Sequence, residues 1–230
     1  MTKEIIAFQG EKGAYSHLAC EEIFPKAIIK TCATFEETFK MASEDENVKI
    51  MVPIENSLAG RVADIHYLIT KYKLQIYSEH FQNVEHNLLV KEGTELKDIK
   101  YVRSHAQAID QCQKIIQKNK FQTIISADTA GSAKDLSKSN DKSVAAIASK
   151  LSAKIYDLKI LMKNIEDEKG NVTRFLLMGK PIFQPELKKE KYITSILFKL
   201  KSKPAALYSA LSGFAIQGVN LTKLQSYPEK

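Results

Sequence analysis

Ile5-Ile6-Ala7-Phe8-Gln9-Gly10-Glu11-Lys12-Gly13-Ala14-Tyr15-Ser16 opens on four apolar residues and continues through a polar turn with two glycines. A short unbroken apolar run reads as a strand buried on both faces. The glycines supply the tight turn out of it, and a helix is predicted over 17–24. The same phrase recurs. A strand is predicted at 28–32 and a helix at 35–43. A third strand, 49–53, runs through the polar loop Ile54-Glu55-Asn56-Ser57-Leu58-Ala59-Gly60 into a helix at 62–72, where Ile65, Leu68, Ile69 and Tyr72 share one face. Strand after helix after strand, with short connections, predicts parallel βαβ units.

Strands at 74–77 and 87–90 flank a polar stretch, and then the pattern restarts. Strands are predicted at 99–102, 121–126 and 144–148, and helices at 106–117, 129–136 and 150–156. Strands 159–163 and 173–178 close the block. Two βαβ sets joined by crossover segments predict an α/β fold of two lobes, the first about 1–78 with 162–180 and the second about 79–161. Ligands of such sheets bind in the cleft outside the carboxyl ends of the strands. Residues 181–192 carry two prolines and a charge run and read as a linker. Beyond it, 193–200 alternates like a half-buried strand, Pro204 suits the first position of a helix, and Val219 to Ser226 reads as another strand. This lone βαβ at 193–230 is too small to fold alone and needs a partner surface.

The chain has 230 residues, 44% hydrophobic and 27% charged, enough for a sizeable core. No run approaches the roughly 20 apolar residues of a membrane span. The apolar stretch at the N-terminus is too short for a signal peptide. Three scattered cysteines, Cys20, Cys32 and Cys112, fit reduced thiols in a cytoplasmic protein. The net charge of +7 comes from lysines spread through every segment, without aromatic interleaving or a nucleic-acid-binding module. Such a surface still attracts a small anionic substrate.

Four strand-to-helix junctions carry small hydroxyls and amides: Ser16-His17, Asn56-Ser57, Ser104-His105-Ala106-Gln107 and Asp128-Thr129. Each alone fits an ordinary helix cap. Together, at the carboxyl ends of the strands, they offer backbone N–H groups and helix ends to an anion. Asn171-Val172-Thr173-Arg174-Phe175 opens the last strand of the block. Thr173 and Phe175 share a face there, and Arg174 points the other way unless the strand start is irregular. Only three of the 34 basic residues are arginines (Arg61, Arg103, Arg174). A planar guanidinium grips a carboxylate as lysine cannot, or Arg174 pairs at the surface with Asp167 or Glu168. GxGxxG, a P-loop lysine and a His/Cys/carboxylate metal cluster are all missing from the sequence. His86 and His105 read either as acid–base groups or as buried, hydrogen-bonded histidines. Cys112 reads as a core residue in mid-helix.

Taken together the motifs resemble the prephenate dehydratases, lyases of phenylalanine biosynthesis. The resemblance rests on Phe8-Gln9-Gly10 with Gly13-Ala14-Tyr15-Ser16, Val52-Pro53-Ile54-Glu55-Asn56-Ser57 with Gly60, and His86-Asn87-Leu88-Leu89. It continues with Ser104-His105-Ala106-Gln107-Ala108, Asp128-Thr129-Ala130, Ala145-Ala146-Ile147-Ala148-Ser149 and Asn171-Val172-Thr173-Arg174-Phe175, in family order over residues 4–180. Ala106 departs, where the family usually has proline. The resemblance implies a catalytic domain at 1–180 similar to type II periplasmic binding proteins, converting prephenate to phenylpyruvate, water and carbon dioxide without cofactor or metal. It implies Thr173 as the essential hydroxyl and Arg174 as a carboxylate ligand. Asn56, Ser57, Ser104, Gln107 and Thr129 would orient the substrate, and Phe175 would pack near the ring or under the strand. Two rivals stand beside this reading: arogenate, the amino form, as substrate, and a non-catalytic small-anion binder on the same fold.

Residues 193–230 resemble the start of an ACT domain, a ferredoxin-like α+β module that binds phenylalanine at a dimer interface. Ala205, Ala206 and Leu207 sit at its Gly-Ala-Leu motif, with Ala205 replacing glycine. Leu224 to Pro228 sit at its Glu-Ser-Arg-Pro motif, with Gln225 replacing glutamate and Tyr227 replacing arginine. One βαβ is present where the module needs two, which a cut chain or a gene with a short tail would each explain. These departures count against phenylalanine as an effector. A homodimer or homotetramer is the expected assembly.

Overall fold

A computed structural model describes residues 4–180 and 192–226. It divides into two compact units, residues 1–185 and 186–230. The predicted linker, 181–192, lies outside the described residues except for Tyr192.

The first lobe of the larger unit begins with β1 (Ile5–Gln9), α1 (Tyr15–Ile23), β2 (Ile28–Cys32), α2 (Phe35–Glu44), β3 (Val48–Asn56), β4 (Gly60–Arg61), α3 (Ala63–Tyr72) and β5 (Gln75–Asn83). The chain then builds the second lobe from β6 (Asn87–Val90), β7 (Tyr101–Ser104), α4 (Ala106–Asp110), α5 (Gln113–Asn119), β8 (Gln122–Ile125), α6 (Thr129–Lys138), β9 (Val144–Ala148), α7 (Lys150–Ile155) and β10 (Lys159–Met162). Finally β11 (Val172–Gly179) returns to the first lobe. The first sheet has the order β2-β1-β3-β11-β5, with β4 added to β3; the second has the order β10-β6-β9-β7-β8. β1 is parallel to β2 and β3, as the βαβ reading requires, and β11 runs antiparallel between β3 and β5. The architecture is the bilobal α/β arrangement expected, with two crossings between lobes at 84–86 and 163–171.

Each sheet is covered on both faces. One face of the first buries Ile50, Val52, Leu176 and Met178, and the other Phe8, Met51, Phe175 and Leu177. The second is filled by Leu88, Val102 and Ile147 on one side and Leu89, Ala146 and Ala148 on the other. The apolar runs are continuous because no face of these central strands meets water. The lobes meet where the Gly13 carbonyl accepts from the Ser149 and Ser152 hydroxyls, at 2.5 and 3.0 Å. Gly13 has φ of 93°, and a Cβ there would lie 2.5 Å from Ser152 Oγ and 2.9 Å from its Cα. Only glycine fits that approach.

Four expectations are corrected. The loop after β3 is a hairpin into β4, so Asn56-Ser57 is not at a helix start; α3 begins only at Ala63. β5 extends through the polar residues to Asn83, because as an edge strand it pairs along almost all of β11 while showing one side to solvent. The single helix predicted over 106–117 breaks into α4 and α5. There the Gln111 carbonyl accepts from Asp167 N, while the Asp167 carboxylate accepts from Lys114 N as a cap brought from outside. Cys112 therefore stands at the break, though buried as expected. In the smaller unit the described residues hold one helix, α8 (Ala206–Ile216), and no strand at 193–200 or 219–226. A strand needs a ladder partner, and none of the described residues supplies one to these segments.

Candidate functional site

Thr173 lies at the start of β11, paired with Asn56 of β3 on one side and Gln82 of β5 on the other. Its side chain is 9% exposed. Asn56 ends β3 and turns the chain, its Oδ1 accepting from the backbone of Leu58 (3.0 Å) and Ala59 (2.8 Å). Those two N–H groups fix which end of the amide is oxygen. Nδ2 must then donate, and it does so to Thr173 Oγ1 at 2.9 Å and Asn171 Oδ1 at 2.7 Å, with a longer contact of 3.4 Å to the Val172 carbonyl.

The orientation propagates. With Asn171 Oδ1 accepting, its Nδ2 donates to Gln111 Oε1 at 2.7 Å. Gln111 Oε1 is therefore an acceptor, and His86 Nε2, 2.9 Å away, satisfies it only as an N–H. In a neutral imidazole that leaves Nδ1 as an acceptor for the Tyr15 hydroxyl at 3.0 Å, which shares its one proton between this nitrogen and the Glu85 carbonyl at 2.7 Å. Burial holds the His86 pKa below the ordinary histidine value, against the opposing influence of Gln111 and the Glu166 carboxylate. Burial, reinforced by Cys112, Glu166 and Glu85, holds the Tyr15 phenol well above its usual range. Both groups are neutral near pH 7. The chain Tyr15–His86–Gln111–Asn171–Asn56–Thr173 thus crosses from α1 through both interlobe segments to β11. Among the described residues the Thr173 hydroxyl has a single hydrogen-bond partner, Asn56, and that partner is a donor. Its own proton has no acceptor among the described residues.

The sequence-predicted residues fall into distinct places. Thr173 and Asn56 meet. Ser57 is exposed, and its Oγ accepts from Val172 N at 2.9 Å and reaches the Gly170 carbonyl at 3.4 Å, so it ties down the start of β11. Ser104 is fully buried and its hydroxyl donates to the Ile147 carbonyl at 2.7 Å, which stitches β7 to β9. Gln107 is exposed on α4, its backbone N donating to the His105 ring. Thr129 is half-buried at the first position of α6, whose cap is Asp128. Phe175 is 2% exposed beside Phe8, Met51 and Leu177, packed under the strand. Arg174 points to the opposite face from Thr173, as strand alternation predicts. Its partner is Glu79, with Nε at 2.7 Å and Nη2 at 2.6 Å from the same carboxylate oxygen, and not Asp167, whose carboxylate caps α5. Cys20 and Cys112 are pushed up by burial, Cys20 to about 12, so neither is a thiolate near neutrality.

Sequence reasoning singled out Gln107 and passed over Gln111, one helical turn on. It also gave Asn171 and Tyr15 no role beyond motif membership. The signal for Gln111 lies in the helix break, which depends on a carboxylate far along the chain. Among the described residues no group of three or more His, Cys, Asp or Glu side chains gathers as metal ligands, and no helix is long and apolar enough to cross a membrane.

In the smaller unit, Ala205 precedes α8 at φ 59°, in the left-handed region that favours glycine, at the position where the resemblance places one. Leu207 and Leu224 are exposed, with Ile196, Leu197 and Ile216. Gln225 lies among the described residues just beyond Leu224, and Ala206 opens α8.

A family model described as prephenate dehydratase matches residues 6–182. Over 98% of its length the chain is 40% identical to a protein of Komagataeibacter europaeus named bifunctional N-acyl-homoserine lactone acylase/prephenate dehydratase, of which it spans 80%. It is 39% identical over its whole length to the chloroplastic arogenate dehydratase/prephenate dehydratase 1 of Arabidopsis thaliana, of which it spans 58%. Among solved structures, the prephenate dehydratase of Arthrobacter aurescens in complex with L-Phe superposes with a TM-score of 0.84 at 27% identity, covering 98% of this chain and 76% of that one.

Proposed function

Because the chain belongs to the prephenate dehydratase family, we propose that it converts prephenate to phenylpyruvate, water and carbon dioxide, with Thr173 as the donor to the departing ring hydroxyl. The supporting observation is the direction of one hydrogen bond: Asn56 donates to Thr173 Oγ1, which frees the threonine proton for the cleft. Loss of carbon dioxide and hydroxide together makes an aromatic ring, so the reaction runs downhill and the barrier lies in the leaving group. A threonine is a poor acid. Its part is a preorganised hydrogen bond that strengthens as negative charge gathers on the departing oxygen, and the proton that completes water comes from solvent.

The substrate is a dianion. Gln107 and Thr129, at the starts of α4 and α6, are proposed to orient a carboxylate from the second lobe, while Asn56, Asn171 and Gln111 line the route from the Thr173 hydroxyl to His86. Ser57 and Ser104 are proposed to serve by holding β11 and β9 in place. A cytoplasmic homo-oligomer that covers the apolar side chains of 192–226 completes the proposal. Phenylalanine is left out as effector, because Ala205 and Gln225 replace the residues that the ACT resemblance calls for.

Arogenate is the second reading, favoured by the likeness to the arogenate dehydratase/prephenate dehydratase 1 of Arabidopsis thaliana. Incubation with each compound, followed by phenylpyruvate absorbance at alkaline pH and by chromatography for phenylalanine, decides between them. Phenylpyruvate from prephenate with a larger kcat/KM is expected. Phenylalanine from arogenate alone selects the second reading, and binding of either compound without product selects a small-anion binder.

A further inference from the structure

The two ladders that flank Thr173 are unequal. Between β11 and β3 the register shifts at the residue after it: Arg174 opposes Glu55 but Phe175 opposes Pro53, leaving Ile54 as the extra residue of a bulge. Between β11 and β5 the register runs without interruption from Val172 to Leu177. The bulge bends β3 and interrupts its ladder beside Thr173, so the neighbour that fixes β11 without a break at this point is β5. The Arg174–Glu79 pair lies at this point, on the face opposite Thr173. Arg174 sits across from Phe81 and Glu79 across from Leu176, so the guanidinium reaches diagonally over the ladder and ties β11 to β5. Both N–H groups bind one oxygen, Oε2, and the side chains are 25% and 30% exposed. The pair is therefore more than a loose surface contact, and it engages the Nε and Nη2 side of the guanidinium.

We propose that Glu79 is a positioning residue for Thr173, acting through Arg174 to hold the strand at the bulge. The proposal rests on the lyase reading above and deepens it: Arg174 serves turnover from behind the strand while the substrate occupies the other face. A shift of about 1 Å in a reacting group costs on the order of 100-fold in rate. Glu79→Gln, which keeps the shape and loses the charge, is expected to lower kcat about 10- to 100-fold with KM within about twofold. Arg174→Lys can still place one ammonium on the single oxygen used, so it is expected to lose only a few-fold in kcat and leave KM unchanged. The double variant Glu79→Gln/Arg174→Lys is expected to be no worse than Glu79→Gln alone, since the two residues act as one unit.

The opposite pattern overturns the proposal: Arg174→Lys raising KM tenfold or more while Glu79→Gln leaves both constants unchanged would make Arg174 a substrate ligand and Glu79 a bystander. Backbone amide exchange supplies a readout that needs no turnover. Faster exchange at Thr173 and Arg174 in Glu79→Gln, with α1 and β1 unchanged, is the expected result, and identical exchange refutes the clamp. If the wild-type protein turns over neither prephenate nor arogenate, the functional reading fails by itself, and the exchange experiment still decides whether Glu79 holds β11.

Discussion

Asn56→Asp reverses the polarity of the whole amide chain while leaving its shape intact. The new carboxylate still accepts from Leu58 N and Ala59 N, so the turn after β3 survives. What is lost is the donor pair on Nδ2. The Thr173 hydroxyl, 2.9 Å from that nitrogen in the wild type, then gives its proton to the carboxylate in a charge-assisted bond and has none for the departing hydroxyl. Removing one preorganised donor of this kind costs on the order of 10²–10³ in kcat, about 2.7–4 kcal/mol of transition-state stabilisation. A negative charge beside a dianion raises KM as well. Folding stability should move by no more than about 1 kcal/mol, since two neutral bonds are exchanged for two bonds to the carboxylate, with two amides rotating to keep their own partners. The rotation gives a second and sharper readout. Asn171 must turn its NH₂ toward the new carboxylate, which turns its oxygen toward Gln111, which in turn presents its NH₂ to His86. The histidine then needs a bare Nε2 and a protonated Nδ1, the reverse of the wild-type tautomer. In protein labelled with ¹⁵N-histidine the ring nitrogens of the two tautomers differ in chemical shift, and His86→Gln assigns its signal among the five histidines. The expected result is an Nε2–H imidazole in the wild type and an Nδ1–H imidazole in Asn56→Asp, at a pH where both are neutral. The same tautomer in both proteins, or a kcat within about threefold of wild type, would refute the reasoning.

Two further outcomes follow from the same geometry. Thr173→Ser keeps the hydroxyl and is expected to retain kcat within about tenfold, whereas Thr173→Val, close in shape, should lose about 10²–10³ in kcat with normal folding; equal rates for the two would remove the hydroxyl from the chemistry, and circular dichroism confirms the fold. Stability should fall as pH is lowered from about 7 toward 5. The pKa of His86, and of His17 beside Phe8, is lowered by burial in the fold, so the unfolded chain, with histidines near 6.5, binds protons that the folded chain refuses. The stabilisation from neutral burial is complete above about 6.5 and is lost as pH falls through that value toward the folded pKa, with a slope of up to about 1.4 kcal/mol per pH unit for each histidine. Urea titrations at pH 7.5 and 5.5 measure it, and His86→Gln should shrink the difference; a protein equally stable at both values contradicts the burial argument.

The fold was legible because its core strands are buried on both faces. Ile6, Ala7 and Phe8 are 0% exposed, and such runs declare themselves without any partner in view. Strands that lean on particular neighbours were not legible in the same way. Ser78 to Asn83 reads as polar loop, yet β5 continues through it because β11, which arrives from the far end of the domain, offers a ladder. Conversely 193–200 alternates as a strand should, and the described residues give it no ladder. Periodicity reports which side of a segment is apolar; whether a strand forms depends on a second segment that periodicity does not see.

The site divides along the same line. Thr173 and Asn56 were reached from residue type and from the motifs that carry the resemblance, and the β3–β11 ladder places the two across from each other. The residues that decide what those two can do were hidden by non-local causes: Gln111 by a helix break that Asp167 imposes, and Glu79 by a register that only the assembled sheet defines. The difference matters chemically. An asparagine beside a threonine does not say which of them donates, and the sequence offers both answers. Two backbone N–H groups, at Leu58 and Ala59, settle the direction at Asn56, and every amide from there to His86 inherits it. A hydroxyl that is an acceptor at rest is a donor in waiting. That polarity, set at a turn on the surface and carried inward through three amides, leaves the Thr173 proton without an acceptor among the described residues, as the proposed donation to a departing hydroxide requires.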